Sequence, residues 1–160
     1  MSESMEAVAG QVEWGAKNLA YNLDFIPDDK LSWKPAPSAN SALEVVGHTV
    51  MAYNGVGACI KAGLAGEKIE MGGHETPVYS SRDEAKAALI AAAQSYAQQV
   101  RSVPAERLGD MVDMGFGTFP ISFIAGMGSI DTMHHHGQIA YIQTMLGDTE
   151  SHFDMSLFSS

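Results

Sequence analysis

Three consecutive histidines and one aspartate lie close together in the segment GSIDTMHHHGQIAYIQTMLGD, residues 128–148. The aspartate is Asp131, and the histidines are His134, His135 and His136. Imidazole and carboxylate groups bind divalent metal ions and also serve as general acids and bases. The rest of the segment is mostly apolar, which indicates that one side of it is buried. These residue types suggest a metal centre or a buried acid–base pair.

Helical spacing separates the roles of the three histidines. Successive residues of an α-helix are rotated by about 100°, so residues three, four or seven positions apart share a face. Asp131, His135 and Gln138 therefore share one face, which has apolar residues before and after it. His134 lies at the edge of that face, and His136 is predicted to face solvent.

Asp131 and His135 are four residues apart and can bind one metal ion from adjacent turns, as the two histidines of an HExxH motif do. A buried carboxylate is costly unless it is paired or bound to a cation. His48 lies among apolar residues in EVVGHTVMAY, and facing helices can bring such side chains together. Two nitrogens and one carboxylate leave positions for water or substrate, which is typical of catalytic metal sites. The same residues are also explained without a metal ion. Asp131 and His135 would then form a buried hydrogen-bonded pair, and His48 would be a hydrogen-bonded residue of the core.

Four helices must position these groups. Apolar residues recur at three- and four-residue steps, and capping-box patterns begin at Ser41 and Ser81. A proline-rich connection separates the first two helices, and Gly147 is expected to follow the last. The predicted helices span about residues 3–25, 42–64, 82–103 and 120–146.

No convincing series of strands is predicted, and residues 104–119 are expected to form a loop with at most one helical turn. The fold class is therefore all-α, a four-helix bundle. The length predicts one domain, residues 1–160, with a core at about 3–147 and a short tail at 148–160. His74 in a loop and His152 in the tail are predicted to be solvated.

Composition excludes several classes of function. The formal net charge is −10 with only nine Lys and Arg, so we expect no nucleic-acid partner. No apolar run approaches the roughly 20 residues that span a bilayer, so we expect no membrane partner. The N-terminal residues lack the basic and apolar segments of a signal peptide, and Cys59 is the single cysteine. A cytoplasmic location is the expectation.

Two segments resemble a known family. LSWKPAPSANSALEVVGHTV, residues 31–50, is similar to the loop, serine helix start and first histidine of the DinB/YfiT-like metalloenzymes. DTMHHHGQIAYIQTMLG, residues 131–147, is similar to the signature of that family's final helix. The spacing between the two segments also fits, and the resemblance extends from the first helix to Gly147.

The resemblance implies a set of metal ligands. The family's first ligand falls on His48, and its last falls on His135, because Gly137 and Gln138 set the register. The ligand between them falls on Asp131, where many members have histidine and some relatives, including mycothiol-dependent isomerases, have a carboxylate. A carboxylate makes the site harder and less positive than three neutral histidines.

The resemblance also implies a DinB/YfiT-like four-helix bundle, commonly dimeric, with a divalent metal ion that is often zinc or nickel. Characterised relatives include thiol-dependent transferases and isomerases that use mycothiol or bacillithiol. We therefore expect a metal-dependent enzyme for a small-molecule substrate, most simply a low-molecular-weight thiol S-transferase or a related thiol-dependent enzyme. There are two alternatives. One is metal-dependent hydrolysis without a thiol, and the other is a non-catalytic bundle that binds a small molecule or a stress signal.

Three further expectations concern supporting residues and assembly. Gln138, one turn after His135, is expected to orient a ligand or substrate, and His134 is expected to support the metal ligands or exchange protons. A homodimer is expected from the family and from the small residues of AALIAAAQSYAQQV in the third helix. That small-residue surface suits close packing between copies and equally suits packing inside the bundle.

Overall fold

The protein is described by a computed structural model that covers residues 3–67 and 75–158, so the predicted solvated His74 lies outside the described residues. The four predicted helices are present. Short helical turns lie between the first and second helices, and a helical turn and one small hairpin lie between the third and fourth. The helices are α1 Glu3–Asn22, α2 Ala42–Ala65, α3 Arg82–Arg101 and α4 Ile121–Met145, and the strands are β1 Met111–Asp113 and β2 Thr118–Pro120.

The helices form a bundle in which α1 and α2 lie diagonally opposite each other. Each of these two helices packs along both α3 and α4. Alanine, valine, leucine and isoleucine side chains from all four helices fill the core, together with Tyr53 and Tyr96. The all-α, four-helix prediction is confirmed, and α4 is placed so that its inner face lies against α2.

Local sequence signals set the helix ends. The Ser41 side chain accepts a hydrogen bond from the Glu44 backbone N–H, and the Glu44 carboxylate accepts one from the Ser41 backbone N–H, a complete capping box. Ser81 caps α3 in the same way, but the Glu84 carboxylate binds Ser80 instead. Gly147, with φ of 98°, follows α4 as predicted.

The hairpin is a correction to the expected loop at residues 104–119. Antiparallel β1 and β2 pair Met111 with Pro120 and Asp113 with Thr118, and Gly115 turns the chain with φ of 83°. Only three residues form each strand, which is too short for an alternating pattern to be recognised in the sequence. A helical turn at residues 105–107, as predicted, precedes the hairpin.

The C-terminal segment, residues 148–158, returns along α1. The Trp14 ring lies 5.1 Å from the Phe153 ring, and the Asn18 side chain exchanges hydrogen bonds with the Asp154 backbone. His152 belongs to this segment and its side chain is only 13% exposed, so the prediction that it is solvated is wrong. Aromatic packing onto Phe25, with ring centroids 3.5 Å apart, accounts for its burial.

The small residues of α3 lie mostly inside the bundle. Ala85, Ala92, Ala93 and Ala97 are all buried, and they allow close packing of α3 on its neighbours within the chain. The α3 surface therefore does not supply the argument for a homodimer. Among the described helices, none is both long enough and apolar enough to cross a bilayer.

Candidate metal centre

His48, Asp131 and His135 lie together between α2 and α4. One ligand atom from each residue can be chosen so that all three atoms lie within 4.8 Å of one another. The His48 and His135 rings meet edge to face, with centroids 4.9 Å apart. Asp131 and His135 come from successive turns of α4, as their spacing predicts, and His48 reaches them from the facing helix. The structure therefore brings together the three residues that the sequence suggested.

The polar atoms of this group are not satisfied by other protein atoms. His135 is 4% exposed, and its Nε2 atom lies 3.4 Å from Asp131 Oδ1. Within the described part of the chain, both His135 Nε2 and Asp131 Oδ2 are buried without a hydrogen-bond partner. Buried polar atoms are nearly always paired, and a divalent cation bound by two imidazoles and a carboxylate would pair these. The donor set therefore fits a divalent metal ion.

Gln138 fixes the orientation of His135. The Gln138 Oε1 atom lies 2.8 Å from His135 Nδ1, and because a carbonyl oxygen only accepts, Nδ1 carries the proton and donates it. This tautomer leaves the lone pair of His135 Nε2 directed at the position between the three candidate ligands. The Gln138 amide nitrogen then donates to His134 Nε2 at 3.1 Å. Metal-binding histidines usually donate their second ring N–H to a supporting residue, and Gln138 is that residue for His135.

The electrostatics of the site favour a positive charge at His135. Burial by itself lowers the pKa of His135, but the interactions with Asp131 and Gln138 outweigh it and raise that pKa above its ordinary value. Surroundings that favour the charged form of an imidazole in this way also favour a cation.

Two buried tyrosines hold α4 in register, a role that no pattern in the sequence indicated. The Tyr53 hydroxyl bonds to Thr132 Oγ1, which donates to the Gly128 carbonyl at 2.6 Å. The Tyr96 hydroxyl, from α3, reaches two further backbone carbonyls of α4, and its ring lies where a side chain on Gly128 would stand. Burial raises the pKa of Tyr53, so it stays a neutral donor. These contacts determine which residues of α4 face His48.

The segment that precedes α3 covers α2 beside His48. A Cβ atom built on Gly47 would lie 2.3 Å from the Pro77 carbonyl oxygen, so this position accepts only glycine without a backbone shift. The Thr76 hydroxyl also donates to Met51 Sδ at 3.3 Å. Glycine at position 47 thus allows this segment to approach α2 closely.

An open groove of about 680 Å³ lies beside the three candidate ligands. The segment 35–40 forms one wall, and residues of α2 and α4 form the other, including Val45, His134, Gln138 and Tyr141. None of the described residues that line the groove is Lys, Arg, Asp or Glu. His134 and Gln138 belong both to this wall and to the hydrogen-bonded chain that ends at His135, so they connect the groove to the candidate metal centre.

His136 is not the solvent-facing residue that the helical pattern predicts. Its Nε2 atom lies 3.0 Å from the Asn22 amide nitrogen, and its ring packs edge to face on Phe153 at 5.3 Å. Burial lowers the pKa of His136. The C-terminal segment covers this part of α4, which the periodicity of the helix alone cannot show. His136 is therefore a structural residue, separate from the candidate metal centre.

The fold and the site define the class of protein: a four-helix bundle with a His–Asp–His cluster between its second and fourth helices. Residues 11–139 match the family model for the DinB superfamily. The chain belongs to the DinB superfamily.

Solved structures show the same fold. A DinB-like protein from Bacillus subtilis is similar with a TM-score of 0.67 at 16% identity, over 90% of this chain and 94% of that one. A DinB-like protein from Bacillus cereus ATCC 10987 is similar with a TM-score of 0.67 at 19% identity, over 84% of this chain and 87% of that one. Comparison with curated proteins found no match.

Proposed function

We propose that the protein is a divalent-metal-dependent enzyme that uses a low-molecular-weight thiol, most simply an S-transferase or a related thiol-dependent enzyme acting on a small molecule. One observation carries the metal part of this proposal: buried His135 Nε2 and Asp131 Oδ2 have no hydrogen-bond partner among the described residues, and His48 lies opposite them. The thiol part rests on the resemblance of the two sequence segments to thiol-dependent relatives, and the adjoining groove supplies the space for substrate.

His48, Asp131 and His135 are the residues that would hold the metal ion, with zinc or nickel as the expected metals. When bound, such an ion would supply Lewis acidity, which lowers the pKa of a bound thiol or water towards neutral pH. Three protein ligands leave room for this exchangeable fourth group, whereas closed structural sites have four protein ligands.

The chain's own residues perform the other tasks in this proposal. Gln138 keeps His135 in the tautomer that presents Nε2, and Val45 and Tyr141 offer apolar surface to the substrate. His134 is the histidine of the groove wall, and it accepts a hydrogen bond at Nε2 while remaining exposed. It is the proposed group for holding or moving a substrate proton.

The first test is elemental analysis of untagged protein purified without chelator, beside His48→Ala and His135→Ala. We expect about one divalent ion per chain in the wild type and strong loss in both variants, because each removes one of only three protein ligands. The matched control is His152→Ala, since His152 also pairs with an aspartate four residues earlier but should leave the metal content unchanged. A wild type that takes up no metal even after reconstitution would favour the non-catalytic binding bundle, with Asp131 and His135 as a simple ion pair.

The second test separates thiol-dependent chemistry from hydrolysis. Metal-loaded protein is screened for turnover of small electrophiles with and without added low-molecular-weight thiols of different charge. Turnover that requires the thiol supports the proposal. Turnover at the same rate without thiol, lost in His135→Ala, would replace it with metal-dependent hydrolysis at the same site.

A further inference from the structure

We propose that the groove beside the candidate metal centre selects an uncharged, largely apolar small molecule, and that Gly137 keeps open the place where this molecule lies. This rests on the proposed function in one respect, because the ligand of the groove is taken to be the substrate. Four features of the described residues support it. They are the uncharged lining, the pairing of the flanking charges, the preformed wall and the open space at Gly137.

The lining of the groove is apolar, with a few uncharged groups that form hydrogen bonds. Val45 and Ile142 are buried, and the exposed Tyr141 ring adds to their apolar surface. Ser38 and Asn40 can form hydrogen bonds without carrying a charge. A charged ligand would give up part of its hydration here, and no described lining residue offers it a counter-ion. The lining therefore disfavours anions and cations alike.

The charged residues that flank the groove in the sequence are paired with each other. Lys34 precedes segment 35–40, and Glu44 lies in the first turn of α2 beside Val45. Lys34 Nζ lies 2.7 Å from Glu44 Oε1, and Glu44 Oε2 accepts the Ser41 backbone N–H. An anionic ligand would have to compete with Glu44 for this lysine. The net charge of −10 adds a general repulsion of anions.

The wall formed by segment 35–40 is preformed. Pro35 and Pro37 fix the backbone φ at two of its six positions. The Ala39 backbone N–H donates to the Ala36 carbonyl at 3.0 Å and closes a turn. The groove of about 680 Å³ also lies within the range of about 300–1,000 Å³ that is typical of small-molecule sites. A small molecule thus finds this groove without ordering the chain first.

Gly137 lies in the middle of the contribution of α4 to the groove. It lies three residues after His134 and four before Tyr141, so all three residues share one face of the helix, and all three line the groove. A Cβ atom built on Gly137 would have no heavy atom within 4 Å among the described residues. Glycine inside a helix costs about 1 kcal/mol relative to alanine. A ligand that lies against the backbone between His134 and Tyr141 accounts for the missing side chain.

The test uses two fluorescent probes that share the same rings and differ in one charge. N-phenylnaphthylamine is uncharged, and anilinonaphthalenesulfonate carries a sulfonate in addition. Both are titrated into the full chain as purified and again after removal of metal. We expect the uncharged probe to bind at least about 10-fold more tightly in both cases, because the lining offers the sulfonate no counter-ion.

One pair of variants locates the bound probe. Gly137→Leu places a side chain between His134 and Tyr141 and should abolish binding of the uncharged probe. The matched control is Gly126→Leu in the same helix, where a Cβ atom also meets no heavy atom within 4 Å among the described residues. Gly126 is not among the residues that line the groove, so this variant should bind as the wild type does. Thermal unfolding shows whether the two variants are equally folded.

A second pair of variants tests the selection against charge, and it does not depend on the folding of a helix variant. Ser38→Lys adds an unpaired cation to the exposed turn of the wall and should reverse the preference in favour of the sulfonated probe. Val78→Lys adds the same charge at an 87% exposed position outside the groove, and it should leave the preference unchanged.

Several outcomes would overturn the proposal. They are a wild type that binds neither probe or both equally, a Gly137→Leu variant that still binds, and a Ser38→Lys variant that keeps the original preference. None of these measurements needs a thiol or turnover. Thiol-dependent turnover by a protein that binds both probes equally would remove this inference and leave the proposed function intact. The expected probe preference without any turnover would do the reverse.

Discussion

Two aspartate–histidine pairs with the same four-residue spacing have different surroundings in this protein. Asp131 and His135 lie on α4, and Asp148 and His152 lie in the segment that follows it. In the second pair His152 Nε2 lies 2.8 Å from Asp148 Oδ2, while Asp148 Oδ1 accepts the Glu150 backbone N–H. In the first pair the corresponding contact is 3.4 Å, and within residues 3–67 and 75–158 one side-chain atom of each residue has no hydrogen-bond partner.

The difference comes from what faces each pair. His152 stacks on Phe25, so its ring is held by an apolar neighbour that offers no ligand atom. His135 instead faces His48, whose imidazole is a third donor. The pair at His152 is a closed structural contact, and the pair at His135 is open towards a cation. The four-residue spacing therefore predicts that aspartate and histidine pair. The residue that faces each pair, Phe25 or His48, decides whether the pair can bind a cation.

The largest expected effect comes from exchanging one carboxylate oxygen for an amide nitrogen in each pair. Asp131→Asn should weaken zinc or nickel binding by more than about 100-fold, because even the partner of a metal ligand contributes about 10–100-fold. Asp148→Asn should leave the affinity unchanged. Isothermal titration of both variants with each metal measures this difference. Equal effects of the two substitutions would contradict the distinction between an open and a closed pair.

A smaller effect is expected at Gln138, the residue that orients His135. Gln138→Leu removes the acceptor for His135 Nδ1–H, and we expect metal affinity to fall by about 10–100-fold. Gln138→Glu keeps an acceptor oxygen there and should retain most of the affinity, although it loses the donor to His134. Metal titration of the two variants compares them directly. If the leucine variant binds as tightly as the wild type, Gln138 has no orienting role.

Substitutions in the Asp148–His152 pair should change the free energy of unfolding and leave metal binding unchanged. His152→Ala removes the stacking on Phe25, and we expect it to lower the free energy of unfolding by about 1 kcal/mol, within the range for aromatic pairs. Urea unfolding of metal-free wild type and variant measures the change. His136→Ala, which loses packing on Phe153 in the same region, should behave similarly. A large loss of metal from His152→Ala would show that the two pairs are coupled.

The smallest effect is a pH dependence at Asp148. The hydrogen bonds from His152 and from the Glu150 backbone hold the pKa of Asp148 below its ordinary value of 3.8. The folded protein thus favours the charged carboxylate, and this contribution is present above the ordinary value and is lost as pH falls through the lowered pKa. The wild type should therefore unfold at a higher temperature than Asp148→Asn near neutral pH, and the difference should shrink in acid. If the difference in unfolding temperature stayed constant down to about pH 2, the predicted loss of this stabilisation in acid would be contradicted.

Much of the fold could be predicted because its signals are local. The capping box at Ser41, the glycine after α4 and the apolar periodicity each depend on hydrogen bonds or faces within a few residues. The same locality made Asp131 and His135 recognisable as a pair on one face of a helix. The hairpin was missed because three-residue strands carry too little alternation to be distinguished from loop.

The sequence by itself determined four helices, approximately where each begins and ends, and a helix face that carries Asp131, His135 and Gln138. The resemblance of residues 31–50 to a known family pointed to His48, and the tertiary structure places His48 close to Asp131 and His135. Only the tertiary structure decided that Tyr53 and Tyr96 hold α4 in register. It also decided that His136 and His152 are covered by the C-terminal segment. The physical reason is that helical periodicity acts over a few residues, whereas burial and ligand geometry depend on which distant segments fold back onto that face.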